Sequence, residues 1–195
     1  MLRIDCLRSI YSELQECLVV TIMGAVAAEL QSLGQRPNFF YLQHAMGLAS
    51  STGLGLALCL PEQKIIVFDG DGSLLMNLGS LSTMARYRPR NLVHVVFDNE
   101  SLLSVGGFPT ATSTGTDLEG IARSAGISRV VTARSLEDFK QNFKTAVTAA
   151  PGGELTTIVA KVEATGPAAY VTDLSLLENR FQFRRHIQSL NAKRT

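Results

Sequence analysis

Two apolar runs, each stopping at a cluster of oxygen-bearing residues, constrain this chain more than any other feature. The first is Lys64-Ile65-Ile66-Val67-Phe68, which ends at Asp69-Gly70-Asp71-Gly72-Ser73; the second is Asn91-Leu92-Val93-His94-Val95-Val96-Phe97, which ends at Asp98-Asn99-Glu100-Ser101. Near-continuous apolar runs suit parallel strands covered on both faces. Residues 73–86 between them are helix-compatible, and parallel strands need a crossover of a dozen or more residues. The pair therefore reads as one βαβ unit whose first half is strand, tight turn and helix. In an open α/β sheet, ligands sit beyond the carboxyl ends of the strands, which brings Asp71 and Asn99 near one another. A carboxylate, an amide oxygen and a main-chain carbonyl suit Mg²⁺, a hard cation that takes about six oxygens. The Ser73 hydroxyl and the amides opening the following helix suit a phosphate, which the small Gly70 and Gly72 allow to come close. Gly-Asp-Gly alone is an ordinary turn sequence; the second strand end makes it a candidate cation and phosphate clamp.

The rest of the chain alternates strand and helix. The pattern predicts a helix near 5–16, a strand near 18–22, a helix near 25–33, and a small-residue helix after the Gly/Ser-rich stretch 46–55. Beyond the βαβ unit it predicts a helix over 117–125, a short strand over 129–132, a helix over 135–149 and a last strand over 155–162. Ser135 with Asp138 three residues on is a capping-box pattern. The fold class is α/β, a mostly parallel central sheet with helices on both faces. The 195 residues suit one domain, with the N-terminal helix and a basic C-terminal helix as extensions, and leave no room for a second catalytic domain.

Charge and composition exclude several classes. The formal net charge is +1, and the basic residues Arg180, Arg184, Arg185, His186, Lys193 and Arg194 read as a solvated helix face and frayed tail rather than a nucleic-acid surface. Cys6, Cys17 and Cys59 form no CxxC pair and read as thiols of a reducing cytoplasm. The apolar run 18–28 is too short to span a membrane, and Asp5, Glu13 and Glu16 ahead of it are wrong for a secretory signal. His94 and His186 lack partners at metal-ligand spacing. Ser50, Ser51 and Thr52 have no G-x-S-x-G elbow, and Gly53-Leu54-Gly55 falls short of a dinucleotide fingerprint because position 58 is Leu.

The paired Gly70-Asp71-Gly72 and Asp98-Asn99 resemble the signature of enzymes that use thiamine diphosphate (ThDP). Phe40-Tyr41-Leu42, Ala45-Met46-Gly47-Leu48-Ala49-Ser50, residues 53–58 and Ser104-Val105-Gly106-Gly107-Phe108-Pro109-Thr110 extend the likeness to roughly residues 18–165. Together they resemble the diphosphate-binding (PP) domain of the sulfopyruvate and phosphonopyruvate decarboxylase-like family.

The resemblance implies the ThDP-binding fold, with ThDP and Mg²⁺ as cofactors. It makes the side chains of Asp71 and Asn99 and the carbonyl of Ser101 the metal ligands. It assigns the diphosphate to the Gly70-Asp71-Gly72-Ser73 turn, chiefly Gly72 and Ser73. Met46 is the apolar wedge that keeps the cofactor bent, and His44 offers a backbone carbonyl to its amino group; His44-Ala45 stand where the family has Gly-Ser. Leu102, Leu103 and Phe108, in place of more polar residues, lean toward a less polar 2-oxo acid, and they equally suit a core or a partner face.

The implied activity is decarboxylation of a 2-oxo acid, with the activating glutamate on a separate pyrimidine-binding (PYR) subunit, so that the enzyme is a hetero-oligomer and this chain is inactive alone. Two alternatives remain open: a carboligase subunit of the acetolactate synthase kind, and a noncatalytic ThDP-fold binding module. Neither nucleic acid nor membrane is an expected partner.

Overall fold

A computed structural model describes residues 1–149, 153–170 and 175–192. Its centre is a six-stranded, wholly parallel sheet. The chain enters through α1 (Arg3–Ser9) and one turn of 3-10 helix (Ser12–Leu14), so the helix expected over 5–16 stops early, before β1 (Cys17–Thr21). Then come α2 (Ala25–Ser32), β2 (Phe39–Tyr41), α3 (Ala49–Cys59) and β3 (Lys64–Gly70). The crossover to β4 (Leu92–Asp98) is made by α4 (Asp71–Leu75) and α5 (Gly79–Tyr87). A two-stranded hairpin, β5 (Ser101–Leu102) with β6 (Phe108–Pro109), follows. The chain closes with α6 (Leu118–Ser124), β7 (Arg129–Ala133), α7 (Leu136–Thr148), β8 (Thr156–Lys161) and α8 (Leu176–Ala192).

The strand order β2-β1-β3-β4-β8-β7 reverses direction between β1 and β3, and such a switch point opens a crevice at the carboxyl ends of the strands. Successive residues of β3 face opposite layers. Val67 packs toward Gly53 of α3, whereas Phe68 stacks on Phe143 of α7 and lies beside Phe97 of β4. Helices therefore cover both faces, α1 with α2 and α7, α3 with α5. β3 and β4 are buried almost end to end, which accounts for their unbroken apolar sequences.

Three expectations about the segments around the site are corrected. The helix expected over 73–86 is two helices, because residues 76–78 tighten into turns bonded three residues apart while the Asn77 amide donates to Gly47 O (2.8 Å) and Ser51 Oγ (3.1 Å). No tight turn separates β3 from α4: Gly70 is extended (φ −117°, ψ 157°) and Asp71 is the first helical residue. The small-residue helix α3 starts inside the stretch 46–55 rather than after it.

β2 was not expected at all. It is a three-residue edge strand, and its outward backbone groups are met by a side chain: Asn179 of α8 accepts from Tyr41 N–H (3.0 Å) and donates to Phe39 O (2.8 Å). Covering an edge in this way removes a template for unwanted strand pairing.

The C-terminal helix is accordingly more than a solvated extension. Phe183 is buried and stacks on Phe40 (5.2 Å between ring centroids), while Arg180, Arg184 and Arg185 face solvent; Lys193 and Arg194 lie outside the described residues. The predicted cap of α7 is present, with Asp138 N–H donating to Ser135 Oγ (3.1 Å).

Candidate functional site

The register of β3 on β4 builds the site. Gly70 pairs with Phe97, so Asp71 and Asp98 leave the sheet side by side and Asn99 follows one residue on. A narrow cavity of about 90 Å³ lies beyond these strand ends, and Gly70, Asp71, Gly72, Ser73, Asn99, Ser101 and Met46 all line it. His44 and Ala45 are not on its wall.

The loop that carries Met46 is fastened to α4 and to the residues just after it. Gly47 N–H donates to Ser73 Oγ (3.0 Å) and the Asn77 amide donates to Gly47 O. Ser73 thus has a positioning task besides the phosphate contact expected of it. Its hydroxyl proton remains free to donate, since in this bond it accepts. Ser50 is buried and bonded to Ser80 Oγ (2.8 Å), part of helix packing rather than a nucleophile.

Three non-glycine residues have positive φ, and two of them sit in the loops of this site. Glu100 (φ 59°) turns the chain between Asn99 and Ser101, and His44 (φ 51°) precedes the Met46 loop. Such left-handed conformations cost about 1–2 kcal/mol in a residue with a Cβ, and they cluster at functional sites when the surroundings enforce them. The φ at 44 explains why glycine suits that position.

The Gly-Asp-Gly glycines behave differently from each other. A Cβ on Gly70 would meet nothing within 4 Å, whereas one on Gly72 would lie 2.4 Å from Leu102 Cδ2. Gly72 lets the hairpin approach closely, with Leu102 and Thr110 both packed over the position a Cβ would take. Leu103 also lines the cavity, while Phe108 is 65% exposed on the hairpin.

Around the carboxylates runs a network that the motif did not disclose. Thr110 Oγ1 donates to Asp71 Oδ2 (2.5 Å), and Thr112 Oγ1 lies 3.2 Å from the same oxygen and 2.8 Å from Asp98 Oδ1. Lys161, at the end of β8, sets its ammonium 2.7 Å from Asp98 Oδ2 and 3.0 Å from Glu100 Oε1. Burial pushes the Asp71 carboxyl above the usual carboxylate range; the Thr110 hydroxyl opposes this and the Asp98 charge adds to it. Burial works against the Lys161 ammonium, but its bonds to Asp98 and Glu100 outweigh that and raise its pKa.

Below the site, fully buried His94 lies with Nε2 3.4 Å from Asp69 Oδ2, and Asp69 Oδ1 accepts Gly70 N–H (2.9 Å). His94 is a core residue, as its setting in an apolar strand suggests.

The cavity also takes in Ile22, Met23, Gly24, Ala25 and Val26, from the end of β1. These were not expected, although a strand running through Gly24 into α2 at the switch point was a usable signal. Among the described residues no helix is long and apolar enough to cross a membrane.

Asp71, Asn99 and Ser101 line one cavity, and the oxygen donors such residues offer suit a hard divalent cation better than a thiolate- or imidazole-seeking metal. A family model described as the thiamine pyrophosphate enzyme, C-terminal TPP binding domain, matches residues 21–159. The sulfopyruvate decarboxylase β subunit of Methanocaldococcus jannaschii is 44% identical over 146 residues, which cover 74% of this chain and 77% of that one. The phosphonopyruvate decarboxylase of Streptomyces viridochromogenes is 41% identical over 146 residues, 74% of this chain but 36% of its own length; the chain thus spans about a third of that protein. Among solved structures, the benzoylformate decarboxylase of Polynucleobacter necessarius shares the fold, with a TM-score of 0.69, 16% identity, and coverage of 86% of this chain and 34% of that one.

Proposed function

Since this chain belongs to the thiamine pyrophosphate enzymes through their C-terminal TPP binding domain, we propose that it is the diphosphate-binding subunit of a Mg²⁺- and ThDP-dependent 2-oxo acid decarboxylase. The observation that supports this reading is that Asp71, Asn99, Ser101 and Met46 line one cavity, the first three at the ends of the paired strands β3 and β4 and Met46 on the loop bonded through Gly47 to Ser73 and Asn77. Its companion is the 44% identity to a protein named as a β subunit.

In this reading Asp71, the Asn99 amide and the Ser101 carbonyl hold the cation, and Gly72 N–H with the Ser73 hydroxyl hold the diphosphate. When bound, ThDP supplies a carbanion-stabilising centre for loss of carbon dioxide from a 2-oxo acid. The chain's own residues bind and orient. Gly72 leaves room for the anion, and Ser73 and Asn77 keep the Met46 loop against the cofactor. Ile22, Leu102 and Leu103 line a largely apolar wall that keeps water from the reacting carbon.

In the family that this chain resembles, a glutamate of the pyrimidine-binding domain activates the aminopyrimidine ring, and in this reading that domain is a separate subunit. The partner completes the active site and shares in choosing the substrate.

The test is calorimetric titration of the purified chain with ThDP, followed by assay with and without a pyrimidine-binding subunit. The expected result is Mg²⁺-dependent ThDP binding that Asp71→Ala abolishes, and carbon dioxide release from 2-oxo acids only in the two-subunit complex. ThDP binding by Asp71→Ala equal to that of the wild type would overturn the metal assignment, and turnover by the chain alone would overturn the divided active site.

A further inference from the structure

Two carboxylates stand side by side at the ends of β3 and β4, and the structure treats them differently. Asp98 has both oxygens engaged: Oδ2 by the Lys161 ammonium at 2.7 Å, Oδ1 by the Thr112 hydroxyl at 2.8 Å and by Glu100 N–H at 3.3 Å. It is only 2% exposed. The Asp71 carboxylate meets its side-chain partners on one oxygen, the hydroxyls of Thr110 and Thr112 both lying against Oδ2, and the Gly72 N–H is a main-chain donor to it.

The two threonines come from the chain immediately after the β5–β6 hairpin, and they are fixed before they reach Asp71. Thr110 N–H donates to Glu100 O (3.1 Å), which ties Thr110 to the turn between Asn99 and Ser101. The two hydroxyls lie 2.8 Å apart, and both residues are buried. A hydroxyl has one proton to give. The proton of Thr110 serves Asp71 at 2.5 Å, and that of Thr112 serves Asp98 at the shorter of its two carboxylate contacts. One loop thus carries the Asn99–Ser101 pair, the donor that sets the Asp71 carboxylate and the donor that occupies Asp98.

We propose that Thr110 and Thr112 are positioning residues of the cation site: Thr110 holds Asp71 by Oδ2 so that its carboxylate meets the cation in one orientation relative to the Asn99–Ser101 turn, and Thr112 occupies Oδ1 of Asp98. Lys161 completes the device by keeping Asp98 occupied, so that the neighbouring carboxylate does not compete for the ion. The inference rests on the reading of this cavity as a Mg²⁺ and ThDP site. Partners that orient a metal ligand are worth about 10–100-fold in metal affinity, and a charge-assisted hydrogen bond is about twice as strong as a neutral one.

The experiment measures, by calorimetry on the full chain, the Mg²⁺ concentration that half-saturates ThDP binding. Thr110→Val keeps the side-chain shape and removes the hydroxyl; Thr110→Ser keeps the hydroxyl. The expected result is a Mg²⁺ requirement raised at least about tenfold in Thr110→Val and restored to near the wild-type value in Thr110→Ser. If Thr110→Val fails to fold, Thr112→Val takes its place with the same expected direction. Circular dichroism of the metal-free proteins checks the fold.

A hydroxyl-free variant that folds and needs no more Mg²⁺ than the wild type overturns the inference and leaves the cofactor reading standing. So does a Thr110→Ser variant as impaired as Thr110→Val. A wild-type chain that binds ThDP equally well with and without Mg²⁺ removes the cation site itself, and with it this inference.

Discussion

Gly53 and Gly55 lie two residues apart in α3, and alanine should act on them with opposite signs. Gly53 is the buried one: a Cβ there would stand 2.0 Å from Val67 Cγ2 and 3.6 Å from Leu92 Cδ1. Ordinary carbon contacts are about 3.5–4.0 Å, so Val67 or α3 must give way by more than an ångström. Val67 is fully buried in β3, and a β-branched side chain has little χ1 freedom with which to yield. Overpacking of this kind costs about 1–3 kcal/mol, against a gain of up to about 1 kcal/mol from replacing a helical glycine. The net expected loss for Gly53→Ala is about 1–2 kcal/mol, or about 2–8 °C in Tm for a chain of this size. At Gly55 a Cβ meets nothing within 4 Å, so Gly55→Ala keeps only the favourable part, about 0.5–1 kcal/mol. Urea unfolding of the metal-free chain reads both. Val67→Ala then supplies the control: in the double variant with Gly53→Ala the two costs should fall short of their sum by about 1 kcal/mol, since one removes the obstacle to the other. Because Met46 stands three residues ahead of α3, lifting this helix should also weaken ThDP binding in Gly53→Ala alone. A stabilising Gly53→Ala, or additive effects in the double variant, would refute the close-approach argument.

Two further outcomes follow from other positions. His44 is exposed with φ 51°, so His44→Gly should stabilise the chain by about 1 kcal/mol in the same urea assay; a loss of stability would mean that the His44 side chain holds the loop by contact. Burial pushes the Cys6 thiol from 9.0 up to about 12 and the Cys17 thiol up to about 11. The folded chain keeps these groups protonated where the unfolded chain does not. The stability they add is complete below pH 9 and is lost as pH rises toward the folded-state values, by about 1.4 kcal/mol per thiol at pH 10. A double Cys6→Ala, Cys17→Ala variant should show a shallower alkaline fall, and in the wild type a thiol reagent at pH 8 should label Cys59 well before the other two. Equal labelling rates for all three would contradict the burial.

The parts of the fold that were legible are those whose cause is local. β3 and β4 are buried on both faces, so their sequences are apolar throughout, and the cap at Ser135 is written within three residues of itself. What escaped the sequence was caused by residues far along the chain. β2 has only three residues, and its edge is satisfied by Asn179, 138 and 140 positions away. The crossover helix breaks at 76–78 because Asn77 reaches back to Gly47, a contact that no period in residues 73–86 contains.

The candidate site divides along the same line. Gly70-Asp71-Gly72 and Asp98-Asn99 display two aspartates at two strand ends, and nothing in that spacing ranks them. Their ranking comes from Lys161, two residues beyond the family match and 63 residues past Asp98, and from Thr110 and Thr112 in the loop after the hairpin. A carboxylate whose two oxygens are already taken by an ammonium and a hydroxyl is a poor ligand; one that meets its side-chain donors on a single oxygen is a prepared one. The motif therefore identifies the strand ends from which a cation can be held, while the choice between the two carboxylates resides in β8 and in the loop after the hairpin. Substitutions at Lys161, Thr110 or Thr112 accordingly stand to alter cofactor binding with every residue of the motif intact.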